Sequence, residues 1–418
     1  MGLAGIVVLL GLAFLLSNDR RRALNPRILA WGLGIQLALA LVALRTEVGV
    51  RVFSWANDVA TNFIGFANAG IRFVFGDWPA VAVVQSPMPG TVGAFQPALV
   101  GFVLAIKVLP IIVFMASLMA VLYHLGVMQR IVALLARGLS RSMGVSGAEA
   151  LSTVGDIFLG MTEAPLLIRP YVARMTESEL FAVMCAGMAT ISGSVLLAYV
   201  AMGVDAGYLV TASFMSAPAA VMFAKIMIPE TAVPETSSAA NVDVPRNDVN
   251  IVDAAARGAG EGLQLALNVG AMLVAFVALV AMCDRAAGFV GGWFGHPELS
   301  LGRILGAPLT PLAWLMGVPW REAPLVGELL GTKTVLNEFI AYRLMSEHVA
   351  ELSPNSIRIA SFALCGFANF GSLAIVLGGI GGMVPERRKD LARLGLRSIV
   401  AGSLATFLTG TIAGLVGR

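Results

Sequence analysis

The sequence predicts an all-α membrane protein with about eight transmembrane helices, two re-entrant helical hairpins in an inverted repeat, and interfacial helices. Of the 418 residues, 58% are hydrophobic and only 13% are charged, whereas soluble domains carry about 25% charged residues. Apolar stretches recur at the length of a bilayer crossing, roughly 20 residues. Two further apolar stretches are interrupted by short polar runs with glycine or proline, a pattern typical of broken membrane helices.

The first 100 residues are predicted to form an N-terminal scaffold of two spans and interfacial helices. The apolar stretch from Gly2 to Leu16 has no basic residue before it and no small-residue cleavage site, so a spanning helix is favoured over a cleaved signal peptide. The region 50–97 is of mixed polarity, with Trp55 and Trp78, which is typical of interfacial helices. The predicted spans cover about 3–17, 28–44, 101–123, 181–202, 207–227, 262–283, 358–382 and 398–416.

Beyond the scaffold, the chain divides into two halves of the same plan. The first repeat covers 101–228 with a hairpin at 147–174, and the second covers 262–418 with a hairpin at 305–346. A polar cytoplasmic linker and amphipathic segment, 229–261, separates them. Each half contains a span, a hairpin, a broken span and a final span, and inverted repeats of this kind bind substrate near the membrane midplane. A short match adds weak support: Thr162-Glu163-Ala164-Pro165-Leu166 in one hairpin and Arg321-Glu322-Ala323-Pro324-Leu325 in the other.

Basic residues give the expected orientation. Arginine and lysine concentrate in the cytoplasmic loops of membrane proteins, and here they cluster after the first and third spans and before the last. With these loops in the cytoplasm, both termini lie outside. The net charge of +3 is small and scattered, which argues against a nucleic-acid partner. The clustered residues are Arg20, Arg21, Arg22, Arg27, Arg130, Arg137, Arg141, Arg387, Arg388, Lys389, Arg393 and Arg397.

The two interrupting runs carry carboxylates at membrane depth. Asp156 and Glu163 lie in the first run, and Glu338 lies in the second. An ionised group there costs on the order of 2.5–3.5 kcal/mol, so such residues are usually kept for function. Because Glu163 and Glu338 lie near the tips of opposite hairpins, we expect them to approach each other from the two sides of the membrane. A structural salt bridge to a nearby base is the alternative interpretation.

The polar residues near these carboxylates suit a polyhydroxylated solute such as a ribose. Carboxylates accept hydrogen bonds strongly, and Asn369 and Ser372 could add contacts, although hydrogen bonding between helices explains those two equally well. Phe367 could supply an apolar face for a ring. One hairpin tip carries Lys333 but neither carries an arginine cluster, which disfavours phosphorylated or strongly acidic solutes.

Other classes of protein fit the sequence less well. A cation-coupled transporter of dicarboxylates or amino acids with paired hairpins is the main alternative, but it should carry an arginine near a tip. An enzyme is not expected, because no serine–histidine pair or aspartate pair falls within the apolar repeats. Carboxylates at hairpin tips also suggest an occluding gate rather than the ring-lined pore of a channel. The three isolated cysteines show no metal-binding spacing, so no cofactor is expected apart from a coupling ion.

Five motifs resemble those of the concentrative nucleoside transporters. The resemblance covers about 100–418, and the two-span lead before it is similar to that of bacterial members, which implies a bacterial inner membrane with both termini in the periplasm. It implies a nucleoside importer driven by symport with a cation, in a homotrimer whose protomers each have a scaffold and a moving, elevator-like transport domain. The motifs are Gly160-Met161-Thr162-Glu163-Ala164-Pro165 with Arg169-Pro170, Ser178-Glu179-Leu180, Gly317-Val318-Pro319-Trp320, Asn337-Glu338-Phe339 and Cys365-Gly366-Phe367-Ala368-Asn369.

The resemblance also implies the residues of the site. Substrate would lie between the two hairpins and the two broken spans, with Val195 against the base and Phe367 against the substrate. Base and ribose would meet the first hairpin, and ribose hydroxyls the second half. The remaining contacts implied are Gly160, Met161, Thr162 and Glu163 in the first hairpin, and Glu338, Asn369 and Ser372 in the second half. The implied sodium ligands are Asp156, the Thr190 hydroxyl and the carbonyls of Leu159 and Ile191.

Three residues depart from the pattern of many family members. Met161 replaces glutamine and offers an apolar thioether in place of an amide. The Gly160-Met161 pair resembles that of the purine-preferring branch of the animal relatives, which implies that purine nucleosides are accepted or preferred. Asp156 replaces asparagine, which makes a proton the alternative coupling ion. Sodium is favoured because the other ligands are present, including a polar interruption at 190–194 whose freed carbonyls suit a hard cation. Gly371 replaces a hydroxyl residue near Ser372.

Overall fold

The computed structural model describes residues 1–76, 81–85, 95–99, 103–236, 248–296 and 299–417. Six helices in this described part are long and apolar enough to cross a membrane, and the shorter helices Gly2–Leu15 and Phe370–Met383 are also apolar. These eight correspond in order to the eight predicted spans. The prediction of an all-α membrane protein is therefore confirmed.

The N-terminal part contains four helices in sequence. Asn25 caps one of them by accepting a hydrogen bond from the amide of Arg27, and Pro26 supplies its first residue. Thr46 caps the next, and Gly76, at a φ of 75°, ends it. The four are α1 (Gly2–Leu15), α2 (Arg20–Ala23), α3 (Pro26–Arg45) and α4 (Glu47–Phe75).

The prediction of interfacial helices throughout 50–97 is corrected by the structure. One helix, α4, covers the first part, and an antiparallel pair of strands follows it, β1 (Val81–Gln85) with β2 (Phe95–Leu99). The valine-rich sequence of β1 favours a strand, but mixed polarity alone does not distinguish it from a helix. Trp78 lies outside the described residues. The next helices are α5 (Leu104–Lys107), α6 (Leu109–His124) and α7 (Val127–Met143).

The first hairpin occupies 147–172, close to the predicted 147–174. Its first arm, α8 (Gly147–Gly155), begins at a capping box formed by Ser146 and Glu149. The chain turns at Gly160, whose φ of 148° is a conformation that residues with a side chain rarely adopt. The arms pack closely because a Cβ on Gly155 would lie only 2.9 Å from Leu167. The return arm is a 3-10 turn, Ala164–Ile168, followed by α9 (Arg169–Val172).

The second hairpin is shorter than predicted. Its arms, α16 (Ala323–Val335) and α17 (Glu338–Glu347), begin well after residue 305, and two short helices precede them. Those short helices are as apolar as the hairpin, so the sequence did not show where the hairpin begins. One of them packs closely on the hairpin, because a Cβ on Gly306 would lie 2.6 Å from the backbone of Glu328. The preceding helices are α13 (Ile251–Gly292), α14 (Leu301–Gly306) and α15 (Thr310–Leu315).

The short sequence match between the hairpins is not a structural equivalence. Glu163 lies at the tip of the first hairpin, whereas Glu322 precedes α16 at the base of the second. There the Glu322 carboxylate accepts hydrogen bonds from the amide and hydroxyl of Ser353, at 3.0 and 2.9 Å. The similarity of the halves therefore lies in the order of their elements.

Each hairpin is followed by a broken span and a continuous one. The first break separates α10 (Glu177–Ala189) from α11 (Gly193–Ala201), and the second separates α18 (Pro354–Leu364) from α19 (Phe370–Met383). The continuous spans are α12 (Ala206–Met227) and α20 (Arg388–Val416). Glycines on α20 allow both broken spans to pack closely against this helix. A Cβ on Gly402 would lie 2.6 Å from Met188, and a Cβ on Gly410 would lie 2.7 Å from the carbonyl oxygen of Ile359. The two breaks meet where Phe367 N donates to Thr190 O at 3.3 Å.

Candidate functional site

A cavity lies where the hairpin tips and the two breaks come together. Its volume is about 730 Å³, counted with its open mouth. All nine residues predicted to contact substrate line it: Gly160, Met161, Thr162, Glu163, Val195, Glu338, Phe367, Asn369 and Ser372. Elements that are distant in sequence therefore bring all nine residues to one cavity. The role of these residues in substrate binding stays a prediction.

Glu338 is held by two side chains at the start of α17. Its Oε1 accepts a hydrogen bond from the Tyr199 hydroxyl at 2.7 Å, and its Oε2 accepts one from Asn369 Nδ2 at 3.1 Å. Asn337, the residue before it, caps α17 through the amide of Ile340. The carboxylate is thus fixed in one orientation and keeps lone pairs for further donors.

Asn369 joins the second break to the second hairpin. Its Oδ1 caps α19 by accepting a hydrogen bond from Ser372 N at 2.8 Å, while its Nδ2 donates to Glu338. Because both ends of the amide are used, its orientation is determined by the hydrogen bonds. This arrangement explains why a helix restarts at Phe370 and faces its first turn toward the cavity.

Tyr199 is a residue that the sequence did not reveal. It lies on α11, is fully buried, and reaches Glu338 across 139 positions of sequence. A tyrosine in an apolar span usually has a partner for its hydroxyl, so its presence there was the available signal. The partner itself could be found only from the fold.

The bond from Tyr199 leads to a testable expectation. Tyr199→Phe is expected to weaken nucleoside binding by about tenfold, because hydrogen bonds to charged groups contribute about 1.5–3 kcal/mol. Isothermal titration of purified protein measures this. Tyr342→Phe is the matched control. The ring centres of Tyr342 and Tyr199 are 5.0 Å apart, but the Tyr342 hydroxyl donates to the carbonyl of Ser361 and not to Glu338. Equal affinities in the two variants would contradict the expectation.

Glu163 lies between this cavity and a second one. Among the described residues its carboxylate makes neither a hydrogen bond nor an ion pair. The second cavity, of about 940 Å³ with its mouth, shares Leu159, Glu163 and Ser194 with the first. Its other polar lining residues lie toward the linker: Tyr123, His124, Gln129, Asp248, Arg257 and Glu261.

The predicted cation ligands surround a buried, unpaired carboxylate. Asp156 is fully buried, and neither carboxylate oxygen has a hydrogen-bond partner among the described residues. It lies against α10, where a Cβ on Gly187 would be 3.7 Å from its Oδ1. Thr190 ends that helix one turn later, with its hydroxyl donating to Ala186 O at 2.9 Å.

The donors at this place are of one chemical type. The carbonyls of Leu159 and Ile191 accept no hydrogen bond from any described residue. A carboxylate, a hydroxyl and free carbonyls are all hard oxygen donors, which suit a hard cation. Leaving a buried carboxylate ionised and unpaired is costly, so a cation or a proton would offset it. The residues present therefore fit the predicted coupling ion.

Comparison with known proteins places this site in a family. Models of the Na+ dependent nucleoside transporter match the chain at residues 4–78 for the N-terminus and 208–414 for the C-terminus, and a nucleoside recognition model matches 105–206. The chain belongs to the concentrative nucleoside transporter family. The resemblance found in the motifs is thereby confirmed, and the chain is a transporter rather than an enzyme.

Curated relatives support the same conclusion. The nucleoside permease NupC of Helicobacter pylori is 41% identical over 98% of this chain and 96% of its own length. The sodium/nucleoside cotransporter 1 of Mus musculus is 39% identical over 99% of this chain, which spans 63% of that longer protein.

Solved structures share the whole fold. CNTnw in an inward-facing substrate-bound state is 46% identical, with a TM-score of 0.89 over 100% of this chain and 98% of the other. A CNTnw variant in an outward-facing state gives a TM-score of 0.90.

Proposed function

We propose that this chain imports nucleosides by symport with sodium, and that the cavity at the hairpin tips is its nucleoside site. The observation that carries the proposal is the convergence of the nine residues on one cavity around the Tyr199–Glu338–Asn369 hydrogen bonds. Of the residues that the structure describes, two carboxylates line this cavity, and no arginine or lysine does. That lining favours a neutral solute rich in hydroxyl donors over a dicarboxylate or an amino acid.

The two sides of the cavity suggest the pose of the nucleoside. Glu338, Asn369 and Ser372 would hold ribose hydroxyls, with Phe367 against the substrate. Gly160, Met161, Thr162 and Glu163 would contact the ribose and base, with Val195 against the base. The Asp156 site would bind sodium through Thr190 and the carbonyls of Leu159 and Ile191. Because the two breaks are joined at Thr190 and Phe367, ion binding at one would order the other.

A transport assay tests the proposal directly. Counterflow of radiolabelled uridine and adenosine into proteoliposomes would be measured with sodium and proton gradients imposed separately. Nucleoside uptake that rises with an inward sodium gradient supports the proposal. No uptake of either nucleoside above that of protein-free liposomes would refute it, and saturable uptake of a dicarboxylate or an amino acid would favour the alternative.

Several broader features belong to the same proposal. We infer a homotrimer in a bacterial inner membrane with both termini periplasmic, and elevator-like motion of a transport domain against a scaffold. Relatives of known structure adopt inward- and outward-facing states, and α13 is largely uncovered within one chain, which leaves an apolar face for lipid or partner protomers. The proposed domains are 1–100, 101–228, 229–261 and 262–418, although 237–247 of the linker lie outside the described residues.

The base preference depends on Met161. This side chain lines the cavity and packs against α10. A Cβ added to Gly187 would lie 2.8 Å from the Cβ of Met161. A thioether makes only weak hydrogen bonds, so a pyrimidine edge gains little from it. Met161→Gln is expected to shift the ratio of adenosine to uridine uptake toward uridine by several-fold, since one neutral hydrogen bond contributes about 0.5–1.5 kcal/mol. An unchanged ratio would show that Met161 does not set the preference.

A further inference from the structure

Lys333 is a fully buried basic residue that does not line the nucleoside cavity. It lies on α16, and its side chain has no exposed surface. Its ammonium donates to the carbonyl of Ala363 and to the hydroxyl of Thr406, both at 2.8 Å. It also lies 5.8 Å from the centre of the Phe407 ring, within the range of a cation–π contact. Among the described residues no carboxylate forms an ion pair with it.

The carbonyl that Lys333 contacts is left free by the second break. In a continuous helix Ala363 O would accept the amide of Phe367, four residues later. Instead that amide donates across to Thr190 O at 3.3 Å, and Gly366 N donates to Leu364 O at 2.8 Å. A buried carbonyl without a donor is costly. The Lys333 side-chain nitrogen supplies the missing donor at the end of α18.

The first half has a similar arrangement, with an acidic side chain beside its break in place of the basic one. There the first arm of the hairpin ends at Asp156, which lies against the end of α10, beside the break. Here the first arm of the second hairpin carries Lys333 against the end of α18, beside its break. The first half therefore places an acidic side chain beside its break, and the second half places a basic one beside its own.

We propose that Lys333 is the tethered cation of the second half: its charge holds the break at 365–369 in shape and thereby positions Phe367 and Asn369. Lys333 does not line the nucleoside cavity, so it acts as a positioning residue. The inference rests on the proposed nucleoside site only for its effect on binding. Its effect on the break is independent of what the protein transports.

Cys365 reports on the break directly. It is fully buried within the break, whereas Cys283 is exposed and Cys185 is buried in α10. In a Cys185→Ala, Cys283→Ser background, the rate of Cys365 modification by N-ethylmaleimide measures opening of this segment. Lys333→Met is expected to raise that rate at least about tenfold and to weaken nucleoside binding by a similar factor, since bonds from charged donors are lost.

Two further variants separate charge from hydrogen bonding and from general instability. Lys333→Gln keeps an N–H donor without the charge and should behave as Lys333→Met does. Lys225→Met removes another buried lysine, which is paired with Glu149 and Glu230 at 2.8 and 3.3 Å, and should leave Cys365 protected. If Lys333→Met does not fold, Lys333→Gln is compared with Thr406→Val. Thr406→Val removes one hydrogen-bond acceptor of Lys333 but keeps the lysine, so it should expose Cys365 less than Lys333→Gln does.

The outcomes distinguish this inference from the proposed function. Protection of Cys365 in Lys333→Met equal to that in the background protein overturns the inference, and so does wild-type behaviour of Lys333→Gln. Equal exposure of Cys365 in Lys225→Met would also overturn it, because general loosening would explain the result. If Lys333→Met exposes Cys365 while the unaltered protein binds no nucleoside, the tethered cation stands and the proposed substrate fails.

Discussion

Replacing Glu338 by glutamine is expected to reduce nucleoside binding by about ten- to one-hundred-fold, because charge-assisted hydrogen bonds contribute about 1.5–3 kcal/mol each. Glutamine keeps the volume of the side chain but replaces one acceptor by an NH2 group. In the structure both carboxylate oxygens accept, one from Tyr199 and one from Asn369. The amide can satisfy only one of these donors as before, so the change affects both the charge and the orientation of Asn369.

The matched control for this variant is Glu322→Gln. Glu322 is also a carboxylate of the second half that accepts two hydrogen bonds, but it lies at the base of the hairpin and outside the cavity. It should lose some stability and keep nucleoside affinity. Glu163→Gln should also lose affinity with little loss of stability, since its carboxylate has no partner among the described residues. Near-normal uptake by both Glu338→Gln and Glu163→Gln would remove these residues from the site.

Much of the fold follows from the sequence because the bilayer imposes a length on every span. The eight apolar stretches were therefore predictable, and so were the glycine- and proline-bearing interruptions. Boundaries were less so. The helices α14 and α15 are as apolar as the arms of the hairpin that they precede, so apolar character alone merges them with it. The strands β1 and β2 lie in a region where polarity shows no single period.

The residues of the site fall into two groups in the same way: those that a local sequence motif predicts, and those whose partners only the fold brings close. Residues carried by local motifs, such as Glu338 and Asn369, could be assigned from the sequence and reach the same cavity. Roles that depend on distant partners could not. Tyr199 meets its carboxylate across 139 positions, and Lys333 meets Thr406 across 73. No periodicity within one helix encodes such a pair, because the partners lie on different elements that only the tertiary fold brings together.

The coupling ion is expected to be sodium, and Asp156→Asn is the variant that decides between sodium and a proton. The buried carboxylate has no hydrogen-bond donor among the described residues, so its charge must be offset by an ion or removed by protonation. Thr190 and the free carbonyls of Leu159 and Ile191 add oxygen donors that a proton would not need. This donor set favours sodium.

With sodium as the partner, Asp156→Asn keeps sodium-dependent uptake and lowers the apparent sodium affinity by roughly tenfold, the effect of losing one charged contact. With a proton as the partner, the same variant abolishes dependence on the pH gradient, because asparagine does not titrate. Asp205→Asn is the control, since Asp205 caps α12 through the amide of Tyr208 and lies outside the site. Uptake would be measured in proteoliposomes with each gradient imposed alone. Full uptake driven by pH in sodium-free vesicles would assign the coupling to protons, and the unpaired carboxylate of Asp156 would then be the group that carries them.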